Sequence, residues 1–242
     1  MGITKYFHHQ GNISDLITRH PALARFKYST IRRHPNFKWI NNSTNMVEWQ
    51  AVVSFFGKSG YGKSSTVNAY FGEPILKTSD VAACTSRCDC LDFRIANDYF
   101  LSFADYPGIG ESEYKDKEYL SMYKEFLVSS NVVVYVLRAD MRDYAIDEQA
   151  FQTVFPRNED KRKVILAINC CDKIEPVSRG YSISPSAEQM VNIEKKMQSL
   201  QRIFKPHNPI IPYSAQTTWN LEALSEAIVK VSEKCGDITF SK

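Results

Sequence analysis

The chain has 242 residues, of which 43% are hydrophobic and 12% aromatic, enough for one large or two small packed domains. No run approaches the roughly 18 apolar residues of a membrane span, and the start, MGITKYFHHQ, lacks the apolar stretch of a secretory signal. These features imply a cytoplasmic protein without a transmembrane segment, and a net charge of only +3 gives no overall polyelectrolyte character.

The charge is unevenly distributed. Residues 1–49 carry Lys5, Arg19, Arg25, Lys27, Arg32, Arg33 and Lys38 against Asp15 and Glu48, while the remainder is slightly acidic. Leu16, Leu23, Phe26, Phe37 and Trp39 give this arm something to bury, and Pro21 and Pro35 suit breaks between short helices. Residues 1–49 therefore read as a basic, helical extension able to meet an acidic partner, RNA or anionic lipid, attached to a domain over 50–242.

That domain opens with an apolar strand, Ala51 to Phe56, followed by Gly57-Lys58-Ser59-Gly60-Tyr61-Gly62-Lys63-Ser64 and a helix-forming stretch to Phe71. The pattern G-x-x-x-x-G-K-S between strand and helix is a phosphate-binding loop. Its glycines let the backbone curl its N–H groups around phosphate oxygens, and the helix adds its N-terminal dipole. Lys63 is then expected on the β- and γ-phosphates and the Ser64 hydroxyl on Mg²⁺.

A polar stretch over 72–89 follows, with Thr85, or alternatively Thr78, as the loop threonine that reaches γ-phosphate and Mg²⁺. Strands at Leu91–Ala96 and Tyr99–Ala104 flank the turn Asn97-Asp98 and form an antiparallel hairpin. The second strand delivers Asp105-Tyr106-Pro107-Gly108, in which Asp105 holds the metal through water and Gly108 offers an N–H to the γ-phosphate. Ser112–Lys117 reads as a charged loop, Glu118–Ser129 as a helix, and Val132–Leu137 as a strand buried on both faces. Ala145–Phe155 is the next helix and Val164–Ile168 the next strand, an alternation that implies a doubly wound α/β sheet.

Beyond that strand comes Asn169-Cys170-Cys171-Asp172. The Asp172 carboxylate can accept both N1–H and the N2 amino group of guanine, a donor pair that adenine lacks. A last strand, Ile210–Tyr213, leads to Ser214-Ala215, whose backbone N–H suits guanine O6, before a closing helix from Asn220.

Together GKSGYGKS, Thr85, DYPG, NCCD and YSA resemble the translation-factor class of P-loop GTPases over about residues 50–235. GKSGYGKSS is similar to the loop of septin-, immunity-related- and chloroplast-import-type GTPases. CTSR, DYPGIGE and DKIEP look like the small Era/TrmE-related GTPases carried on prophages and mobile islands and labelled ribosome-binding. The resemblance implies a Ras-like G domain with a six-stranded, mostly parallel sheet, one antiparallel strand and helices on both faces. It implies binding of GTP and GDP with Mg²⁺, hydrolysis of GTP, and pairing of two copies across the nucleotide face.

The expected nucleotide-binding set is Gly57, Ser59, Gly60, Tyr61, Gly62, Lys63, Ser64, Ser65, Asn169, Asp172, Lys173, Ser214 and Ala215. The metal set is Ser64, Thr85 and Asp105, and the catalytic candidates are Lys63, Thr85 and Gly108. Three positions depart from the family. Cys170 replaces a lysine that covers the base, Ile109 replaces a water-orienting glutamine, and Gly60 stands where potassium-dependent relatives carry asparagine.

Slow hydrolysis follows, stimulated by a partner, self-association or the basic arm; Arg87 and Arg138 are candidate charge stabilisers. The alternatives are a non-hydrolysing, guanine-nucleotide-dependent interaction module and, from the phosphate loop alone, an ATPase or P-loop kinase. Cys84, Cys88 and Cys90 could supply three thiolates to zinc, but no fourth ligand is near in sequence, so reduced cysteines are the preferred reading.

Overall fold

A computed structural model describes residues 7–41, 45–78, 88–177 and 182–241. In chain order the elements are β1 (Phe7–Gly11), α1 (Ile13–Arg19), a 3-10 helix (Pro21–Tyr28), β2 (Ser29–Ile31), a 3-10 turn (Pro35–Phe37), β3 (Lys38–Asn41), β4 (Met46–Gly57) and α2 (Lys63–Phe71). They continue with β5 (Asp89–Ala96), β6 (Tyr99–Asp105), α3 (Glu113–Leu127), β7 (Val132–Arg138), α4 (Ala145–Val154), α5 (Asn158–Arg162) and β8 (Val164–Asn169). After a 3-10 turn (Cys171–Lys173) come α6 (Ala187–Phe204), β9 (Ile211–Pro212), α7 (Leu221–Cys235) and β10 (Ile238–Phe240).

The main sheet runs β1-β5-β6-β4-β7-β8-β9, with β3 added antiparallel to the start of β4. Only the β5–β6 and β3–β4 pairs are antiparallel; the others are parallel. This is the expected mixed sheet, but it has eight strands and not six. The two additional strands are β1 and β3, both from the segment expected to be helical. Phe7 to Gly11 pairs with Asp89 to Phe93, and Lys38 to Asn41 pairs with Met46 to Trp49. β2 pairs with β10 in a separate small sheet. These short strands carry too few residues for a period-2 pattern; their pairing is supplied by sheet edges that the rest of the chain leaves open.

Consecutive aromatics at the end of β4 show how the layers form. Phe55 and Phe56 are both wholly buried, on opposite faces. Phe55 meets Phe103, which packs against Tyr70 of α2. Phe56 stacks on Tyr123 of α3 at 4.0 Å and meets Tyr106 edge-on at 5.0 Å. β7 and β8 lie between, almost continuously apolar because both of their faces are covered.

One expected loop is helix. Ser112 accepts the Lys115 N–H as N-cap, and Glu113 and Asp116 occupy the first turn of α3. The charge that suggests a mobile loop instead complements the helix dipole. The N-terminal segment also spends basic residues on the fold. Arg19 donates to the Phe71 carbonyl at the end of α2, Arg25 pairs with Glu233, and Arg33 with Asp98. Leu16, Leu23 and Phe26 are wholly buried. No helix among the described residues is long and apolar enough to cross a membrane.

Phe56→Ala removes the ring that joins β4 to α3 and should lower the unfolding free energy by about 3–5 kcal/mol, read from urea denaturation.

Candidate functional site

The site lies where the parallel strands β4, β7 and β8 end together. β4 finishes at Gly57, whose φ of +137° sets its backbone against the Val136 carbonyl where no Cβ would fit. The loop then arches through Gly60 (φ +75°) and Gly62 (φ +85°) into α2. Gly62 is the N-cap of α2 and has no side chain with which to cap the first turn, and a helix N-terminus of this kind suits a phosphate. Lys63 is 6% exposed, and its Nζ donates to the Lys58 carbonyl at 3.1 Å. Burial pushes its pKa down, opposed by Asp105, Glu111 and Asp147.

The D-x-x-G segment lies directly beside this arch. Lys58 and Ile109 form a parallel bridge, with Ser59 N–H donating to Ile109 O at 2.8 Å and Ile109 N–H to Gly57 O at 3.3 Å. A Cβ at Gly108 would stand 2.5 Å from the Ser59 backbone N and Cα, so only glycine permits this approach to the arch. The Ser64 hydroxyl donates to Asp105 Oδ2 at 2.6 Å. A hydroxyl and a carboxylate brought together in this way are hard oxygen donors that fit Mg²⁺. Thr85, the third expected donor, and Arg87 lie outside the described residues, while Thr78 is exposed.

The guanine-type motif joins the same site. Asn169, 2% exposed at the end of β8, donates through Nδ2 to Tyr61 O at 3.0 Å and accepts the Ala215 N–H at 2.9 Å. The Ala215 N–H expected on a base oxygen is therefore held by Asn169 in this structure. Asp172 Oδ1 accepts the Ser214 hydroxyl at 2.6 Å, and Lys173 is exposed beside it. Cys170 takes a left-handed conformation with φ of +61°. Its thiol is pushed up to about 11, chiefly by burial, and stays protonated. Arg138 pairs with Asp140 at 2.7 Å and donates to Gly60 O at 3.3 Å, so it is engaged at the crown of the arch.

Cys84 falls outside the described residues. Cys88 and Cys90 hold their sulfurs 3.9 Å apart, and the hydrogen bond between them and burial raise the Cys90 thiol.

Two residues at the site carry no motif. Tyr123, which reads as one member of an aromatic stripe, donates its hydroxyl to Pro107 O at 2.5 Å and accepts Gly57 N–H at 3.4 Å, linking both phosphate-side loops. Asp147 reads as an ordinary first-turn acid of α4, yet it is 0% exposed and accepts the Tyr61 hydroxyl at 3.0 Å. The sequence signal is a large aromatic, Tyr61, between two glycines of the phosphate loop.

Residues 52–170, just under half of the chain, match the sequence model of the family described as 50S ribosome-binding GTPase. Escherichia coli (strain K12) YfjP is 35% identical over 186 residues, which are 76% of this chain and 63% of that protein. GTPase Der of Levilactobacillus brevis is 29% identical over 185 residues, 74% of this chain and 39% of Der. Among solved structures, Aquifex aeolicus Era bound to GDP·AlF4⁻ matches with a TM-score of 0.61 at 25% identity, covering 75% of this chain and 56% of Era. The chain thus spans less than two thirds of the length of these relatives.

Asp147 yields a signed pH dependence. Burial is the largest influence on its carboxyl and pushes it from the usual 3.8 up to about 6, with the Tyr61 hydrogen bond, Lys58 and Lys63 pulling the other way. The unfolded chain loses this proton first, so the stability gained from the neutral carboxyl is fully present below about pH 4 and is lost as pH rises to about 6. Relative to Asp147→Asn, the wild type should lose on the order of 2–3 kcal/mol between pH 4 and pH 7 in urea unfolding.

Proposed function

We propose that this chain, which carries a P-loop GTPase domain, is a guanine-nucleotide switch that binds GTP and GDP with Mg²⁺ and hydrolyses GTP slowly. One observation carries the reading: the Asn169 side chain bonds both the phosphate loop at Tyr61 and the last loop at Ala215, so the base-side and phosphate-side motifs form one site. Residues 50–242 are the nucleotide-binding unit in this reading, and 1–49 are built onto it.

Lys63 and the N–H groups of the arch bind the phosphates, held in place by the bridge to Ile109. Ser64, Asp105 and Thr85 would hold Mg²⁺, which when bound neutralises phosphate charge and orients the terminal phosphoryl group. Gly108 contributes its N–H at the closest approach to Lys63. Asp172 accepts from the guanine edge, with Ser214 orienting one carboxylate oxygen and leaving the other toward the base. The hydrophobic side chain of Ile109 is 1% exposed and cannot orient an attacking water, which makes turnover slow.

A second copy across the nucleotide face, or a partner on the basic N-terminal layer, is the proposed source of acceleration. RNA is one such partner, as is an acidic protein. The buried Ile109 also favours a second reading, a nucleotide-dependent interaction module without hydrolysis.

Competition of GTP, GDP and ATP against labelled GDP tests the central reading. The wild type should discriminate against ATP, and Asp172→Ala should weaken GDP binding by roughly 100-fold, the loss of two hydrogen bonds to a charged acceptor. Equal competition by ATP would mean that only the phosphate loop was read correctly. Single-turnover GTP hydrolysis should proceed at roughly 10⁻³ s⁻¹ or slower without a partner. Complete absence of turnover with Mg²⁺ selects the interaction module.

A further inference from the structure

Tyr61 stands at the crown of the phosphate loop between Gly60 and Gly62, yet it is only 3% exposed. Its hydroxyl turns inward to Asp147 Oδ2 at 3.0 Å. Among the described residues this is the one side-chain hydrogen bond the Asp147 carboxylate accepts, and its other oxygen has no hydrogen-bond partner. A carboxylate so buried is costly, and capping does not account for it, because the N-cap of α4 is Tyr144.

The groups facing Asp147 come from every element around it. Lys58 and Tyr61 belong to the loop, Lys63 opens α2, Tyr144 precedes α4, and Tyr123 approaches from α3. Tyr135 of β7 donates to the Asp147 backbone carbonyl at 3.3 Å. The two lysines offset the charge of the carboxylate, and the carboxylate in turn opposes deprotonation of the buried Lys63.

Three side chains, from β7, α4 and β8, therefore hold the crown. Arg138 binds Gly60 O, Asn169 binds Tyr61 O, and Asp147 binds the Tyr61 hydroxyl. A trans peptide points its N–H opposite to its C=O, so holding the Tyr61 carbonyl on the Asn169 amide also fixes the direction of the Gly62 N–H.

Resting on the nucleotide-binding reading above, we propose that Tyr61 and Asp147 are positioning residues for phosphate recognition. Their buried hydroxyl–carboxylate pair ties the crown of the arch to α4 and presets the loop amides before nucleotide arrives. The cost of the buried carboxylate is then offset by preorganisation, since a loop already in its bound shape loses little entropy on binding.

The test uses the full chain with Mg²⁺ and fluorescent (mant) GDP, measuring affinity and release rate. Tyr61→Phe and Asp147→Ala should each weaken binding about tenfold, mainly through faster release, as expected for loss of a hydrogen bond to a charged group. The double variant should be no weaker than the worse single one, because the two residues act as a unit. Asp147→Asn keeps an acceptor oxygen and should restore binding to within about threefold of wild type.

Thermal melts establish that each variant is folded; should Asp147→Ala not fold, Tyr61→Phe, which removes a single oxygen, carries the test with Asp147→Asn. Wild-type affinity in Tyr61→Phe, fully additive losses, or an Asp147→Asn as weak as Asp147→Ala overturns the proposal while leaving guanine binding intact. A wild type that does not bind mant-GDP overturns the nucleotide reading and this proposal with it.

Discussion

The side-chain amide of Asn169 is the joint on which the site depends. It leaves the end of β8 and reaches the phosphate loop on one side and the loop after β9 on the other, bonding Tyr61 O and Ala215 N. Gly62 makes room for it, since a Cβ there would collide with the Asn169 amide. Both ends of the amide are satisfied in a fully buried position, which in a low-dielectric interior is worth more than in water and punishes the loss of either partner. The parallel sheet makes this contact possible because β4, β7 and β8 run in register and release their loops at the same edge.

A second constraint acts on the phosphate side. Tyr123 reaches from α3 across Phe56 to place its hydroxyl between Gly57 and Pro107. The root of the arch and the D-x-x-G segment are thereby held to one helix, and the Lys58–Ile109 bridge aligns them further. A change in the D-x-x-G loop cannot occur without disturbing either this bridge or the Tyr123 hydroxyl. α3 is tied to this segment at its start as well, where the Asp116 carboxylate accepts the Gly110 N–H at 2.7 Å.

The motif-bearing part of the molecule was legible in the sequence. Glycine spacing, the strand before it and the helix after it specified the phosphate loop, and the apolar runs of β7 and β8 specified a sheet covered on both faces. The pairing of Ser64 with Asp105 follows from the same pattern. What escaped were contacts between distant segments without local periodicity. β1 and β3 are strands only because β5 and β4 offer edges to pair with, 82 residues away in the first case (Phe7 with Asp89) and antiparallel in the second. Asp147 looks like any acidic residue in a first helical turn, and only its depth beneath Tyr61 distinguishes it.

The N-terminal layer, with Arg19 on the end of α2 and Phe26 against Phe240, ties the chain's beginning to its end around the same core. The central claim, however, is that phosphate-side and base-side loops form a single nucleotide site, and hydrogen exchange on adding GDP and Mg²⁺ tests it most directly. The account predicts coincident slowing of exchange at 58–65, 169–173 and 214–217. Slowing confined to 58–65, with the other two loops unchanged, would contradict it.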